Sequence, residues 1–256
     1  MIDPTIFRAY DIRGVVEETL TEVAVYEIAR AIGTMAHELG QQRIVVARDG
    51  RESSSGLSEI LIKGLINTGR DVIDIGMVPT PLLYFATHHL ETGSGVMITG
   101  SHNAAEYNGL KIMLDGNTLS GEEIKDIQNR THSADYVVGE GDVSYLDITA
   151  DYIRRITEDV PTHTVTPLKI VVDCGNGVAG ILAPQLLNAL GHEVIELYCE
   201  IDGKFPNHHP DPSQPENLHD LVDKVKAEGA DVGFAFDGDG DRLGVVDAEG
   251  HIIWPD

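Results

Sequence analysis

Cysteine is almost absent from this sequence, which has only Cys174 and Cys199 in 256 residues. Although these two could pair, so low a number excludes a disulfide-rich scaffold and favours two reduced, partly buried thiols. No apolar run approaches the roughly 18 residues of a membrane span, and no basic segment followed by an apolar one opens the chain. We therefore expect a cytoplasmic protein without a membrane partner.

Basic residues are also scarce, because 18 Lys and Arg stand against 42 Asp and Glu and give a formal net charge of −24. This charge argues against nucleic acid or an anionic membrane as a partner. A small anionic substrate remains possible where cations gather locally. Cations near glycine turns or motif loops are Arg8, Arg13, Arg48, Arg51, Lys111 and Arg242. At 256 residues, the chain is long enough for two domains of ordinary size. Its apolar fraction of 42% is ordinary for a soluble globular protein.

The aspartate loop, residues 237–242, reads DGDGDR and places three carboxylates at alternate positions. Its two glycines permit a tight turn, and oxygen ligands of this kind suit Mg²⁺ or Ca²⁺. A solvated acidic turn is the alternative, but apolar strands are predicted directly before and after the loop, at 232–236 and 243–246. An EF-hand is excluded, since Arg242 and Ala248 stand where it needs Gly and Glu.

The serine loop, residues 99–103, reads TGSHN and lies between predicted strands at 95–99 and 110–114. Ser101 does not match a hydrolase nucleophile, because Thr99 replaces the glycine of a Gly-x-Ser-x-Gly turn. Phosphorylated, Ser101 would carry nearly two negative charges that a nearby cation could neutralise. Lys111, near the start of the following strand, is placed to act as an acid or base on an accepting hydroxyl, or it is a surface lysine. His102 either contacts phosphate or shapes the loop.

An internal repeat relates the two loops. A strand, a turn, a helix, a glycine and a second strand run from residue 43 to 75, and the same order returns from 169 to 197. The serine loop and the aspartate loop then follow at equivalent places, so they can meet if the two domains face each other. The pattern predicts two related α/β domains, 1–150 and 151–256, each a three-layer α/β/α arrangement with a mixed, largely parallel sheet.

A helix at 21–39, capped by Thr21 and stopped by Gly40, precedes the first unit. Another at 146–158 joins the domains, with Pro161 and Pro167 bounding the linker.

One motif favours a different reaction class. Residues 175–180 read GNGVAG between a predicted strand and helix, with Glu196 about one strand later. This arrangement is typical of dinucleotide-binding oxidoreductases. The other copy of the repeat lacks the glycine spacing, however, and the aspartate loop would have no role.

Taken together, the motifs resemble the α-D-phosphohexomutases, above all the bacterial phosphomannomutase/phosphoglucomutase enzymes. The segments that carry the resemblance are the serine and aspartate loops, FRAYDIRG at 7–14, YNGLK at 107–111, DCGNG at 173–177 and FPNHHPDP at 205–212. The resemblance implies that Ser101 is a phosphoserine whose phosphate binds Mg²⁺ together with the three aspartates, Asp237, Asp239 and Asp241. It also implies active-site positions for Tyr10 and Arg13, an acid/base role for Lys111 and a place beside the phosphoserine for Arg242. Tyr10, Arg13, His102 and Lys111 are then the expected substrate-binding side chains.

The implied reaction interconverts hexose 6-phosphate and hexose 1-phosphate, of mannose or glucose, through a bound hexose 1,6-bisphosphate. Ala104 stands where the family usually has proline, which could loosen the turn. Family members have four domains, so we expect that domains 3 and 4 are missing here and that this chain has little turnover alone. A Mg²⁺-dependent phosphosugar-binding module is the non-enzymatic alternative. His208, His209 and Asp211 could form a second metal cluster, but packing is the favoured interpretation.

Overall fold

The computed structural model describes residues 2–160 and 166–254; Pro161 of the predicted linker lies outside them. The chain divides into two compact units. The first consists of residues 1–100 and 105–147, and the second of residues 101–104 and 148–256. The tip of the serine loop is therefore grouped with the second unit, and the domain limits 1–150 and 151–256 stay a prediction.

A mixed sheet forms the centre of the first unit. Its seven strands are β1 (Ile12–Val15), β2 (Arg43–Arg48), β3 (Asp71–Met77), β4 (Gly95–Ile98), β5 (Tyr107–Leu114), β6 (Asn117–Thr118) and β7 (Val143–Tyr145). The spatial order is β1-β5-β4-β2-β3-β7, with β6 beside β5. Strands β4, β2, β3 and β7 are parallel to one another, whereas β1, β5 and β6 pair in antiparallel fashion.

Helices cover this sheet because its central strands alternate buried apolar side chains between two faces. The helices are α1 (Glu22–Glu38), α2 (Ser54–Ile66), α3 (Thr80–His89) and α4 (Glu122–Ser133), with a short 3-10 helix at Pro4–Ile6. Ile44 and Val46 of β2 join one core cluster with side chains of α1, α2 and α4. The Thr21 hydroxyl caps α1 by accepting from the Ala24 amide at 3.2 Å, as predicted.

The second unit repeats the plan with five strands. They are β8 (Lys169–Asp173), β9 (Glu193–Leu197), β10 (Val232–Phe236), β11 (Leu243–Asp247) and β12 (Ile252–Ile253), in the order β12-β11-β10-β8-β9. The helices are α5 (Thr149–Asp159), α6 (Ala183–Ala189) and α7 (His219–Glu228), with 3-10 turns at Val178–Ile181 and Pro215–Leu218. Val171 of β8 packs with residues of α7, and its neighbours Ile170 and Val172 pack with residues of α6 on the other face.

The predicted repeat is present in the strand pairing. The order β5-β4-β2-β3 of the first sheet and β11-β10-β8-β9 of the second have the same directions, with one antiparallel pair followed by two parallel pairs. Each candidate loop joins the two antiparallel strands of its own repeat. The fold class, two α/β/α units with mixed sheets, is confirmed.

The helix predicted from residue 146 starts later, at Thr149. The Leu146 amide still donates to the carbonyl of Asp74 at 3.0 Å, which continues the pairing of β7 with β3. No helix in the described parts of the chain is both long and apolar enough to cross a bilayer, and the cytoplasmic location stays a prediction.

Candidate active site

The aspartate loop turns sharply between β10 and β11. Gly240 has φ of 73°, a left-handed conformation that glycine adopts without steric cost, and its amide donates to the carbonyl of Asp237 at 3.0 Å. The turn brings one carboxylate oxygen each from Asp237, Asp239 and Asp241 to within 4.8 Å of one another. Three potential hard-oxygen ligands therefore lie on one side of a short loop.

Asp237 is the most constrained carboxylate of the three. It has no exposed surface, and its Oδ1 accepts hydrogen bonds from the amides of Asp241 at 3.0 Å and Arg242 at 3.1 Å. Burial, followed by the charges of Asp239 and Asp241, raises the pKa of Asp237 to about 8. Without a cation, the protein therefore holds this buried carboxyl mostly protonated near neutral pH.

Ser101 lies directly against this cluster within the second unit. Its hydroxyl Oγ donates to Oδ2 of Asp237 at 2.9 Å, and the residue is 1% exposed. Its φ of 49° is unusual for a residue with a side chain, as is common where local strain serves a site. Nδ1 of His102 lies 3.4 Å from the same Oγ, at the outer limit of a hydrogen bond.

The cluster fits a divalent cation by its own chemistry. Three carboxylates crowd together, two of them fully buried, and burial followed by their mutual repulsion raises the pKa of Asp237. A cation at this position would remove that repulsion. Within the described residues, the other group that could hold a metal is Asp247, Glu249 and His251, which has no buried member.

His208, His209 and Asp211 are not among the groups of described residues whose potential ligand atoms come together. Nε2 of His208 contacts both carboxylate oxygens of buried Asp173, at 2.9 and 3.1 Å. Asp211 accepts instead from the amide and hydroxyl of Ser213. These contacts agree with the packing interpretation.

Asp211 also links the neighbourhood of His102 and Arg242. Burial opposes its ionisation, but the Ser213 hydrogen bonds and the nearby positive charges of His102 and Arg242 lower its pKa. An anion is thus held next to Arg242, which the resemblance places beside the phosphoserine, and next to His102, which either contacts phosphate or shapes the loop. The Arg242 side chain is exposed, and its backbone is fixed by Asp237.

We predict that His208 titrates above the ordinary histidine value. Burial alone would lower the pKa of its imidazole, but the hydrogen bond and charge of Asp173 raise it. Because the folded pKa exceeds the unfolded value of 6.5, the stabilisation is complete below about pH 6.5 and disappears as pH rises through the folded pKa. NMR titration of the ring protons, assigned with His208→Gln, should give a midpoint above the ordinary value of 6.5; a midpoint below that value would contradict the pairing.

The remaining predicted site residues belong to the first unit. Tyr10 is 77% exposed just before β1, and Arg13 within β1 is 8% exposed and forms an ion pair with Asp11. Lys111 lies in β5 opposite Met97 of β4 and is half-buried. The roles of these three side chains stay predictions.

Asp49 and Arg51 have a structural role that the sequence reasoning did not assign. The Asp49 carboxylate accepts from Arg51 Nε at 3.2 Å and from the Gly100 amide at 3.2 Å, and both side chains are nearly inaccessible. Nη1 of Arg51 donates to the carbonyl of Tyr107 at 3.0 Å. The pair therefore fixes the residue before Ser101 and the first residue of β5. Its position at the turn after β2 was visible in the sequence, but that position alone does not separate a buried ion pair from solvated surface charge.

The glycines of the GNGVAG motif make room for the protein's own backbone. A Cβ on Gly177 would lie 2.9 Å from the carbonyl oxygen of Gly238, and one on Gly180 would lie 2.0 Å from that of Cys199. The Val178 amide donates to the same Gly238 oxygen at 3.2 Å. Gly177, Gly180 and the Val178 amide thus contact the protein's own backbone, which removes the support for a dinucleotide site at this motif.

Comparison with known proteins gives the same family from both halves of the chain. Residues 4–137 match the model of phosphoglucomutase/phosphomannomutase α/β/α domain I, and residues 150–250 match that of domain II. A phosphomannomutase/phosphoglucomutase of Pseudomonas aeruginosa is 56% identical over 252 residues, which cover 98% of this chain and 54% of that protein. A phosphoglucomutase of Neisseria meningitidis is 49% identical over 253 residues, covering 98% and 55%.

The fold is shared with solved structures of the same kind. The crystal structure of a phosphoglucomutase/phosphomannomutase family protein from Burkholderia thailandensis matches with a TM-score of 0.96 at 48% identity, covering all of this chain and 57% of that one. The chain thus spans about half the length of the relatives it matches. The two domain matches, in order and over most of the sequence, show that this chain belongs to the phosphoglucomutase/phosphomannomutase family.

Proposed function

We propose that this chain carries the phosphoserine and metal chemistry of a phosphohexomutase. The observation that carries the proposal is the 2.9 Å hydrogen bond from Ser101 Oγ to Asp237 Oδ2, inside a cluster of three carboxylates. The names of the relatives support mannose and glucose phosphates as substrates. For the whole protein, the proposed reaction interconverts hexose 6-phosphate and hexose 1-phosphate through a hexose 1,6-bisphosphate.

Mg²⁺ is the proposed cation, held by Asp237, Asp239 and Asp241 together with the phosphate of Ser101. The donor set supports this choice, because carboxylate and phosphate oxygens are the ligands Mg²⁺ prefers. When bound, the ion would neutralise charge on the phosphoryl group and polarise its phosphorus. The raised pKa of Asp237 further supports a cation at this position, since bringing one in lets the trio ionise fully.

The chain's own residues then hold and move the phosphoryl group. In the charging step, Ser101 Oγ forms the new bond to phosphorus while the bond from phosphorus to a bisphosphate oxygen breaks. The hydroxyl proton leaves Ser101 along its hydrogen bond to Asp237 Oδ2. The departing sugar oxygen takes up a proton and becomes a hydroxyl of the hexose monophosphate. Such transfer depends mainly on positioning and charge neutralisation. His102 and Arg242, both near Asp211, are proposed to contact the phosphate oxygens.

The proposal also assigns roles to side chains of the first unit. Lys111 would exchange a proton with the sugar hydroxyl that accepts or releases the phosphoryl group. Arg13 and Tyr10 would bind the hexose phosphate; the exposure of Tyr10 suits a contact with a ligand. These assignments come from the family resemblance at each position and are tested by the Lys111→Met, Arg13→Met and Tyr10→Phe variants in the assay below.

The test is transfer of phosphate to Ser101. The chain is incubated with Mg²⁺ and glucose 1,6-bisphosphate, and the product is analysed by intact mass and peptide mapping. We expect one phosphate on Ser101, none on the Ser101→Ala variant, and none when a chelator replaces Mg²⁺. Ser213, which lies in the same unit with its hydroxyl bonded to Asp211, is a natural internal control and should remain unmodified.

The result also separates the enzymatic function from a binding module. If the chain binds the bisphosphate in a Mg²⁺-dependent manner while Ser101 stays unmodified, the phosphotransfer proposal is wrong and the binding function stands. Steady-state mutase turnover is a separate measurement. We expect little of it from these 256 residues, which match 54% of the Pseudomonas aeruginosa relative.

A further inference from the structure

The two cysteines of the second unit lie side by side. Cys174 follows the last residue of β8, and Cys199 comes two residues after the end of β9. Because β8 and β9 are parallel neighbours, both thiols lie at the same edge of the sheet. The Sγ atoms are 3.4 Å apart, with the Cys199 thiol donating to Cys174. Both are free thiols in the structure.

We propose that Cys174 and Cys199 form a site of reversible oxidation, which a peroxide closes to an intramolecular disulfide. Their sulfurs are already in contact, and a bond of about 2.05 Å requires an approach of little more than 1 Å. A transient, redox-sensing disulfide of this type is compatible with a compartment in which thiols are normally reduced.

The environments of the two thiols set the order of the reaction. Cys174 is fully buried, and its hydrogen bond with Cys199, followed by burial, raises its pKa well above the ordinary value. Cys199 is only half-buried, so it is the thiol that meets the oxidant first. Its sulfur attacks hydrogen peroxide, the O–O bond breaks, and a sulfenic acid and one water form. Cys174 then displaces hydroxide from that sulfur, and a second water leaves as the disulfide forms.

The disulfide would act on the aspartate loop through a short chain of backbone contacts. The Cys174 carbonyl accepts from the Gly177 amide at 2.7 Å, and the next amide, of Val178, donates to the Gly238 carbonyl at 3.2 Å. Gly238 separates two of the three clustered carboxylates. Since Gly177 leaves no room for even a Cβ against Gly238, movement of Cys174 is passed on to the loop. Oxidation therefore weakens Mg²⁺ binding at the cluster, a consequence that rests on the Mg²⁺ site proposed above.

Non-reducing peptide mapping after hydrogen peroxide treatment tests the modification itself. The expected result is a peptide pair linking Cys174 to Cys199, with a loss of two hydrogen atoms from the intact mass and full reversal by dithiothreitol. Cys199→Ser should leave Cys174 unoxidised under the same treatment, whereas Cys174→Ser should take Cys199 on to sulfinic acid or to a dimer. Sulfinic acid on Cys199 of the unmodified chain, with Cys174 still a thiol, would overturn the proposal.

The coupling to the aspartate loop has its own readout. Calorimetric titration with Mg²⁺ should give a dissociation constant about tenfold larger for the oxidised than for the reduced chain, the scale of an outer-shell disturbance. The Cys174→Ser variant, treated in the same way, should show no such change. Equal affinities of the oxidised and reduced chains would contradict the coupling. This test needs no phosphate transfer, so it is independent of Ser101 becoming phosphorylated.

Discussion

Replacing Asp237 with asparagine is expected to stabilise the metal-free protein and to remove most of its response to Mg²⁺. The carboxylate is completely buried beside Asp239, which is also buried, and its pKa is raised to about 8. Asparagine has the same shape, and its oxygen can still accept from the amides of Asp241 and Arg242. The substitution therefore removes a buried charge while retaining the hydrogen bonds that shape the loop.

The sign of the pH dependence follows from the direction of this shift. Between about pH 4 and pH 8 the folded state binds more protons at Asp237 than the unfolded state, so stability falls as pH rises. A displacement of the pKa from 3.8 to about 8 corresponds to a free energy on the order of 6 kcal/mol, shared among the coupled carboxylates. In the presence of chelator, the free energy of unfolding of Asp237→Asn should therefore exceed that of the parent, by the most at pH 8 and by the least at pH 4.

Urea unfolding across this pH range, with chelator and with Mg²⁺, measures both effects. Mg²⁺ should raise the free energy of unfolding of the parent strongly at pH 8 and that of Asp237→Asn only slightly. The loss of Mg²⁺ affinity should exceed the roughly 10- to 100-fold that outer-shell changes produce. Asp247→Asn, in the cluster without a buried member, is the matched control and should leave the Mg²⁺ response unchanged. A parent whose stability in chelator does not fall with pH would contradict the account.

The parts of the fold that the sequence predicted are those with a strong local signal. Strand β10 has the predicted bounds, and β8 and β9 begin and end the second repeat at residues 169 and 197 as predicted, because each is a short apolar run between turn residues. No prediction covered β1 or β7, which lie at the two edges of the first sheet. β1 becomes a strand by pairing with β5, almost a hundred residues later, and β7 has no buried residue to give it an apolar pattern. Such pairing is decided by tertiary context.

In the candidate site too, the features with a local sequence signal could be predicted and those that depend on tertiary contacts could not. Three aspartates at alternate positions between two apolar strands predict a cluster, because residues so close in sequence are brought together by a single turn. The hydrogen bond from Ser101 to Asp237 joins residues 136 positions apart. This contact could be predicted only from the repeat and the family resemblance. Asp49 and Arg51 were not assigned a role, since an ion pair two residues apart has no pattern that separates it from solvated surface charge.

Replacing Gly238 with alanine is expected to separate the serine loop from the aspartate loop. A Cβ on Gly238 would lie 2.4 Å from the carbonyl oxygen of Ser101, well inside the contact distance that real Cβ atoms keep. Because the obstructing atom belongs to the backbone, a side-chain rotation cannot relieve the clash. Ser101 or the loop from Asp237 to Asp239 must shift, and the hydrogen bond between Ser101 and Asp237 should be lost.

The effect on phosphate transfer should be much larger than the effect on stability. A displacement of about 1 Å between reacting groups can cost on the order of 100-fold in rate, whereas an extra methyl in a packed site costs about 1–3 kcal/mol. The rate at which glucose 1,6-bisphosphate and Mg²⁺ place phosphate on Ser101, followed by intact mass, should fall by at least about 100-fold in Gly238→Ala. The variant should still unfold cooperatively.

Gly56→Ala is the matched control, because Gly56 lies within α2 and a Cβ there meets no atom within 4 Å. This variant should retain the parent rate and gain about 0.5–1 kcal/mol in stability from the better helix propensity of alanine. Parent-like phosphorylation of Gly238→Ala would mean that transfer does not need the close approach of the two loops. The contact between Ser101 and Gly238 would then be packing alone, and the proposed catalytic role of the Ser101–Asp237 geometry would lose its support.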